Sequence, residues 1–114
     1  MKQWDFFWAD LPASDPGSNI YFGKRPVVIV SNDLCNTWST VVTVVPLTTN
    51  LNKKAMPTHV YLSYPTLDSP SLALCEQIMS IDKTRLFEQM GSVTKEWDRM
   101  AITHAMQVQL GMTA

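Results

Sequence analysis

Six consecutive β-branched residues, Thr40-Val41-Val42-Thr43-Val44-Val45, constrain this 114-residue chain more than any other stretch. Branching at Cβ disfavours a helical turn and packs well on a pleated surface, so the run predicts a core strand. It delivers Pro46-Leu47-Thr48-Thr49-Asn50 to the surface. Thr48 and Thr49 can there offer hydroxyls to a ligand or simply cap a turn, and the residues themselves leave both open. A second apolar run, Val27-Val28-Ile29-Val30, predicts a strand over about 25–31, with Pro26 tolerable because it stands at the start. Burying residues 27–30 fixes Arg25 at the strand mouth. A guanidinium held there can grip an oxyanion such as phosphate with two parallel hydrogen bonds, or it can be an ordinary solvated or salt-bridged cation.

The remaining elements follow in order. Asp5-Phe6-Phe7-Trp8-Ala9-Asp10-Leu11 suits a short strand that ends at Pro12. Residues 12–22 are rich in turn formers, and Ile20, Tyr21 and Phe22 either form a lid able to stack on bases or fold back on the core. Asn32-Asp33 closes the second strand, and an irregular piece holding Cys35 and Trp38 follows. After a basic turn over 50–57, strands are expected at 59–63 and 71–81, the latter carrying Glu76 and Gln77 mid-length. One helical turn is expected at 82–87 and a last strand at 89–93. Thr94 is the expected N-cap of a C-terminal helix ended by Gly111. Trp97, Met100, Ala101, His104, Ala105 and Val108 repeat at three- and four-residue spacing, which predicts one face laid against a sheet.

The length bounds the chain to one domain, residues 1–114. No charged-then-apolar leader opens it and no run approaches the roughly 20 residues that span a bilayer, so a cytoplasmic protein without membrane contact is expected. Cys35 and Cys75 lack a CxxC spacing and are expected reduced and buried. His59 is expected exposed, and neither it nor His104 completes a metal-ligand spacing, so no metal and no cofactor are expected. The net charge of −1 gives no global footprint for nucleic acid. Local pairs remain: Lys24 with Arg25, Lys53 with Lys54, and Lys83 with Arg85. The sum is a mainly β domain with an added α-helix, patterned as a small, strongly curved antiparallel β-barrel plus a C-terminal helix.

Taken as ordered blocks, these residues resemble the MazF/PemK family of toxin endoribonucleases. The blocks are Asp5-Phe6-Phe7-Trp8-Ala9-Asp10-Leu11, the run from Gly23-Lys24-Arg25-Pro26 to Ser31-Asn32-Asp33, and Val44-Val45-Pro46-Leu47-Thr48-Thr49-Asn50. Pro57-Thr58-His59-Val60, Ala73-Leu74-Cys75-Glu76-Gln77-Ile78, Ile81-Asp82-Lys83-Thr84-Arg85-Leu86 and the terminal helix keep the same order, so the resemblance covers residues 5–112. It implies an SH3-like barrel, a homodimer, metal-independent cleavage of single-stranded mRNA that arrests translation and growth, and neutralisation by a cognate antitoxin with a disordered acidic segment. By position, Arg25 and Thr48 match the family's catalytic arginine and threonine. Ser18, Asn19, Lys24, Thr49, Asn50, Lys53, Lys54 and Gln77 are the expected RNA contacts. The family often carries Gly-Ser-Glu-Gln before the arginine strand, whereas here Gly17-Ser18 is followed by Asn19-Ile20, so a loop carboxylate is missing. The expected chemistry is attack of the RNA 2′-OH, giving 2′,3′-cyclic phosphate and 5′-OH ends. Two rivals share the fold: a protein-binding toxin like the gyrase poison CcdB, which needs no phosphate-gripping pair, and a catalytically silent RNA-binding domain.

Overall fold

A computed structural model of the chain describes residues 1–113; residue 114 of the expected domain lies outside the described residues. The β-branched runs form two neighbouring strands, β2 (Gly23–Ile29) and β3 (Val41–Thr48), paired antiparallel with Val27 opposite Pro46, Val28 opposite Val45 and Ile29 opposite Val44. Before them comes β1 (Asp5–Leu11), and after them β4 (His59–Leu62), β5 (Ser71–Leu74), β6 (Met79–Asp82) and β7 (Leu86–Ser92). The sheet runs β4-β5-β3-β2-β1-β7, while the first half of β3 also pairs with β6 on the edge away from β2. Among the described residues this path is open, so the pairings themselves do not close the expected barrel.

Why the strongest runs lack alternation is visible in the packing. Alternate residues of β2 and β3 enter two separate cores. Val28, Val45 and Leu47 join Phe6, Leu62, Ile102 and Ala105 in one. Val27, Ile29, Val42 and Val44 join Ala9, Leu11 and Ile81 in the other. Phe6 also meets the Tyr64 ring edge-on, with centroids 5.5 Å apart.

Several local expectations are corrected. The piece holding Cys35 and Trp38 is a helix, α1 (Asp33–Trp38), because the Asn32 side chain accepts from the Cys35 amide at 2.9 Å and so starts a helix as well as closing a strand. Cys35 is exposed on it, whereas Cys75 is buried and its thiol pushed up to about 12 by burial. Both cysteines are free. The expected strand at 71–81 is two strands, β5 and β6, broken by a 3-10 turn at Cys75–Gln77; the turn expected at 82–87 is a 3-10 turn at Lys83–Arg85, and β7 starts earlier than expected.

The final helix, α2 (Glu96–Gln109), has Lys95 at its N-cap with no side-chain cap, not Thr94. Ile102 and Ala105 are buried and Ala101 and Met106 pack against the same core, so Ala101 and Ala105 of the predicted stripe face inward, while Trp97 and Met100 are 82 % and 64 % exposed and His104 is exposed. Three contacts set this rotation. The Tyr64 hydroxyl donates to Asp98 Oδ2 at 2.6 Å, Arg99 Nε donates to the Val93 carbonyl at 2.6 Å, and the Val93 amide donates to the Trp4 carbonyl at 2.8 Å. Burial and the Asp98 carboxylate push the Tyr64 hydroxyl up to about 12, so it stays a donor at neutral pH. No helix among the described residues is long and apolar enough to cross a membrane.

Candidate active site

Thr48 ends β3, whereas Arg25 is the third residue of β2, which starts two residues before the expected strand mouth because Gly23, Lys24 and Arg25 already pair with β1. The β2–β3 pairing ends at Val27 opposite Pro46, with Arg25 two residues from Val27 on one strand and Thr48 two residues from Pro46 on the other. Both line one cleft of about 240 Å³ with Trp8, Lys24, Thr49, Asp68 and Ser69.

Each side chain is held with its reactive end free for a ligand. Arg25 Nε donates to the Phe22 carbonyl at 3.0 Å, and the guanidinium carbon lies 4.4 Å from the centroid of the Tyr21 ring. That shelf fixes the plane of the group and leaves its two terminal amino groups to the cleft. Among the described residues Arg25 makes no salt bridge. Thr48 is buried, and its Oγ1 accepts from the Asn50 amide at 3.1 Å. A hydroxyl has one proton to donate, so accepting from Asn50 leaves that proton for a ligand. The turn-cap and ligand-donor readings of Thr48 are therefore compatible.

A second cleft adjoins the first at Arg25. It is lined by Ser18, Asn19, Tyr21, Lys53, Glu76 and Gln77, with Lys53 Nζ 5.4 Å from the centroid of the same Tyr21 ring that carries Arg25. Gln77 bridges to the loop: Oε1 accepts from the Tyr21 amide at 2.7 Å and Nε2 donates to the Asn19 carbonyl at 2.9 Å. Ile20 and Phe22 of the same loop are more than half exposed. Lys24, facing the first cleft, lies over the Trp8 and Phe87 rings at 5.5 and 5.7 Å. Of the other expected contacts, Asn50 supports Thr48 and lines neither cleft, and Lys54 is exposed on the turn beside Lys53.

Some site residues were not singled out for this role in the sequence. Trp8 enters because it pairs with Pro26 across β1–β2, and Asp68 with Ser69 because the β4–β5 connection folds over the first cleft. No carboxylate follows Gly17-Ser18 in the loop, yet the second cleft has one in Glu76. Its oxygens accept from Thr58 Oγ1 at 3.1 Å and pair with His59 Nε2 at 2.8 Å. The expectation of an exposed His59 fails for this reason: with Glu76 as partner its side chain is only 7 % exposed. The basic pair Lys83 and Arg85 lies elsewhere, Arg85 Nη1 reaching the Asp10 carbonyl at 3.0 Å.

Residues 2–106 match the family described as PemK-like, MazF-like toxin of type II toxin-antitoxin system. The chain is 36 % identical to Endoribonuclease MazF of Staphylococcus saprophyticus, over 98 % of this chain and 92 % of that protein, and 35 % identical to its Staphylococcus epidermidis counterpart over the same shares. Among solved structures, MazF from Deinococcus radiodurans superimposes with a TM-score of 0.82 at 19 % identity, covering 98 % of this chain and 97 % of that one. A mycobacterial endoribonuclease in complex with its cognate antitoxin superimposes at 0.78 and 23 % identity, covering 100 % and 98 %. These two likenesses establish the fold.

Proposed function

The chain belongs to the PemK-like, MazF-like toxins of type II toxin-antitoxin systems, and from that premise we propose that it is an endoribonuclease that cuts single-stranded mRNA at a phosphate held between Arg25 and Thr48. The observation that carries this reading is the meeting of two clefts at Arg25, with a Thr48 hydroxyl free to donate into the first. A single strand laid through both clefts brings one phosphate to the guanidinium and its neighbouring bases to the two walls.

RNA supplies its own nucleophile. The site needs only to align the 2′-OH with the phosphorus and the leaving 5′ oxygen, then to stabilise added negative charge. As the 2′ oxygen bonds to phosphorus and the P–O5′ bond breaks, Arg25 holds the non-bridging oxygens and Thr48 donates to the phosphate or the leaving oxygen. The 2′ oxygen loses a proton and the 5′ oxygen gains one, giving 2′,3′-cyclic phosphate and 5′-OH ends. Arginine keeps its proton under all ordinary conditions, so electrostatic stabilisation is its contribution. In this scheme the two side chains supply the charge compensation, and cleavage proceeds without a metal. Such cutting of messages in the cytoplasm stops translation and growth. Incubating the protein with mixed-sequence RNA in EDTA and mapping new ends tests the reading: discrete 5′-OH ends are expected, and intact RNA bound to protein overturns it.

Base preference is assigned to the walls: Ser18 and Asn19 on the loop side and Thr49 near Thr48. Lys24, Lys53 and Lys54 add phosphate attraction. Replacing Lys53 and Lys54 with alanine is expected to weaken RNA binding and to reduce the salt slope of log K by about 1 to 1.4, at roughly 0.7 per phosphate contact on a single strand. Fluorescence-anisotropy titrations across salt concentrations check this, and an unchanged slope contradicts it.

The proposed assembly is a homodimer neutralised by an antitoxin whose acidic, disordered segment folds into the RNA clefts against Lys24, Arg25 and Lys53. Exposed apolar side chains support an interface: Leu34 and Trp38 on α1, Val41 on β3, and Leu110 and Met112 after α2. Sedimentation at micromolar concentration is expected to show twice the chain mass, and a monomer there contradicts the dimer.

A further inference from the structure

The loop over residues 12–22 meets the core through the Tyr21 ring, which packs against the second core, and has few bonds of its own, among them the Ser18 amide to the Asp15 carbonyl at 3.0 Å. Ser14 Oγ donates to the Ile20 carbonyl at 3.2 Å and the Ile20 amide to Ser18 Oγ at 3.1 Å, both local and exposed bonds. Gln77 is different. Its carboxamide uses both ends on the loop backbone, 56 and 58 residues away in sequence, at 2.7 and 2.9 Å. Because the bonds go to the Tyr21 amide and the Asn19 carbonyl, they fix the course of the chain whatever side chains it carries.

What Gln77 grips is what aims Arg25. Tyr21 supplies the ring beneath the guanidinium, and the next residue, Phe22, supplies the carbonyl that Arg25 Nε contacts. At its other end Gln77 is seated firmly. It closes the 3-10 turn Cys75–Gln77, in which Cys75 is fully buried and its amide donates to the Thr58 carbonyl at 3.0 Å. The adjacent Glu76 carboxylate is locked between Thr58 and His59. A rigid turn, a two-ended amide and a soft loop are thus connected in series to the guanidinium.

We propose that Gln77 is a positioning residue for cleavage, a clamp that holds residues 19–22 in the form that aims Arg25 at the phosphate. This rests on the catalytic reading of Arg25 above and adds to it a cause for the arginine's alignment. It also gives Gln77 a role distinct from reading a base. A clamp acts on every RNA alike, because what it sets is the position of the charge. A base reader discriminates at one nucleotide.

The test uses Gln77→Met, which is close in size and flexible but makes neither bond. Two quantities are measured on the intact protein: hydrogen exchange of the Tyr21 amide, and single-turnover cleavage at saturating RNA for substrates that differ at each flanking base. The clamp predicts faster Tyr21 exchange and a cleavage rate lowered about tenfold on every substrate, as expected when a catalytic group is displaced by a fraction of an ångström. Unchanged Tyr21 exchange overturns it. So does a loss confined to one base at one position, which makes Gln77 a base reader. Gln77→Glu is a second variant should the first fail to fold. It keeps an acceptor for the Tyr21 amide but sets a carboxylate against the Asn19 carbonyl, so Tyr21 stays protected while cleavage slows; a wild-type rate contradicts the clamp. Arg25→Ala, run alongside, separates the two ideas. Full activity in it defeats the catalytic reading, whereas an inactive Arg25→Ala beside a fully active Gln77→Met defeats the clamp alone.

Discussion

Arg25→Ala is expected to lower the single-turnover rate of RNA cleavage about a hundred- to a thousandfold while leaving the fold intact. The transition state carries more negative charge on the phosphate oxygens than the bound RNA does, so a fixed cation lowers the barrier by more than it tightens ground-state binding. Removing one preorganised donor of this kind typically raises the barrier by about 3 to 4 kcal/mol. Arg25 is half-buried, makes no salt bridge among the described residues, and touches the protein through one carbonyl and one ring. Its loss should therefore cost little stability. Arg25→Lys keeps a charge but not the planar fork, and recovery in it is expected to be small. Rates measured at saturating RNA, with thermal unfolding of the same samples, check both statements; near wild-type cleavage by Arg25→Ala contradicts the assignment.

Thr48→Val is expected to slow cleavage about a hundredfold, and Thr48→Ser to restore most of the rate. Valine copies the shape of threonine at this buried position and removes only the hydroxyl. Two bonds disappear with it: the proposed donation to the phosphate, and the acceptance from the Asn50 amide. The second is local and lies at an exposed residue, so its loss costs about 0.5 to 1.5 kcal/mol of stability at most. Serine keeps both. A large rate loss in valine with recovery in serine, at similar unfolding temperatures, marks the hydroxyl as chemical in role. Equal rates in all three proteins would reduce Thr48 to a turn cap.

How much of this was legible in the sequence depends on the range of the interaction. Residues 27–30 and 40–45 announce strands because β-branching acts within a residue of itself, and both lie in strands or at their edges. Asn32 reads as a strand end and its side chain also caps α1, and the two uses look alike in sequence because only the folded chain brings the Cys35 amide to it. The predicted α2 stripe holds at Ala101 and Ala105 and fails at Trp97, Met100 and His104, which face solvent. Periodicity gives the existence of an apolar face, but the contacts that choose the face come from Tyr64 and Val93, outside the helix. Arg25 and Thr48 were visible as residues with two possible uses each. Their meeting at one cleft depends on how β2 and β3 pair, which no local pattern encodes. The Gln77 bonds to the loop and the Glu76 pairing with His59 are tertiary in the same sense, joining segments 17 to 58 residues apart.

The central claim is that this site turns the RNA's own 2′-OH against the phosphate held at Arg25 and Thr48. One measurement addresses it directly. After the preferred cut site has been mapped, the same oligonucleotide is made with a single 2′-deoxy sugar on the 5′ side of the scissile phosphate and incubated with the protein in EDTA. Cleavage at that bond is expected to vanish while binding persists, and the all-RNA control should yield 2′,3′-cyclic phosphate and 5′-OH ends. Cleavage of the deoxy-substituted bond at an undiminished rate would contradict the mechanism.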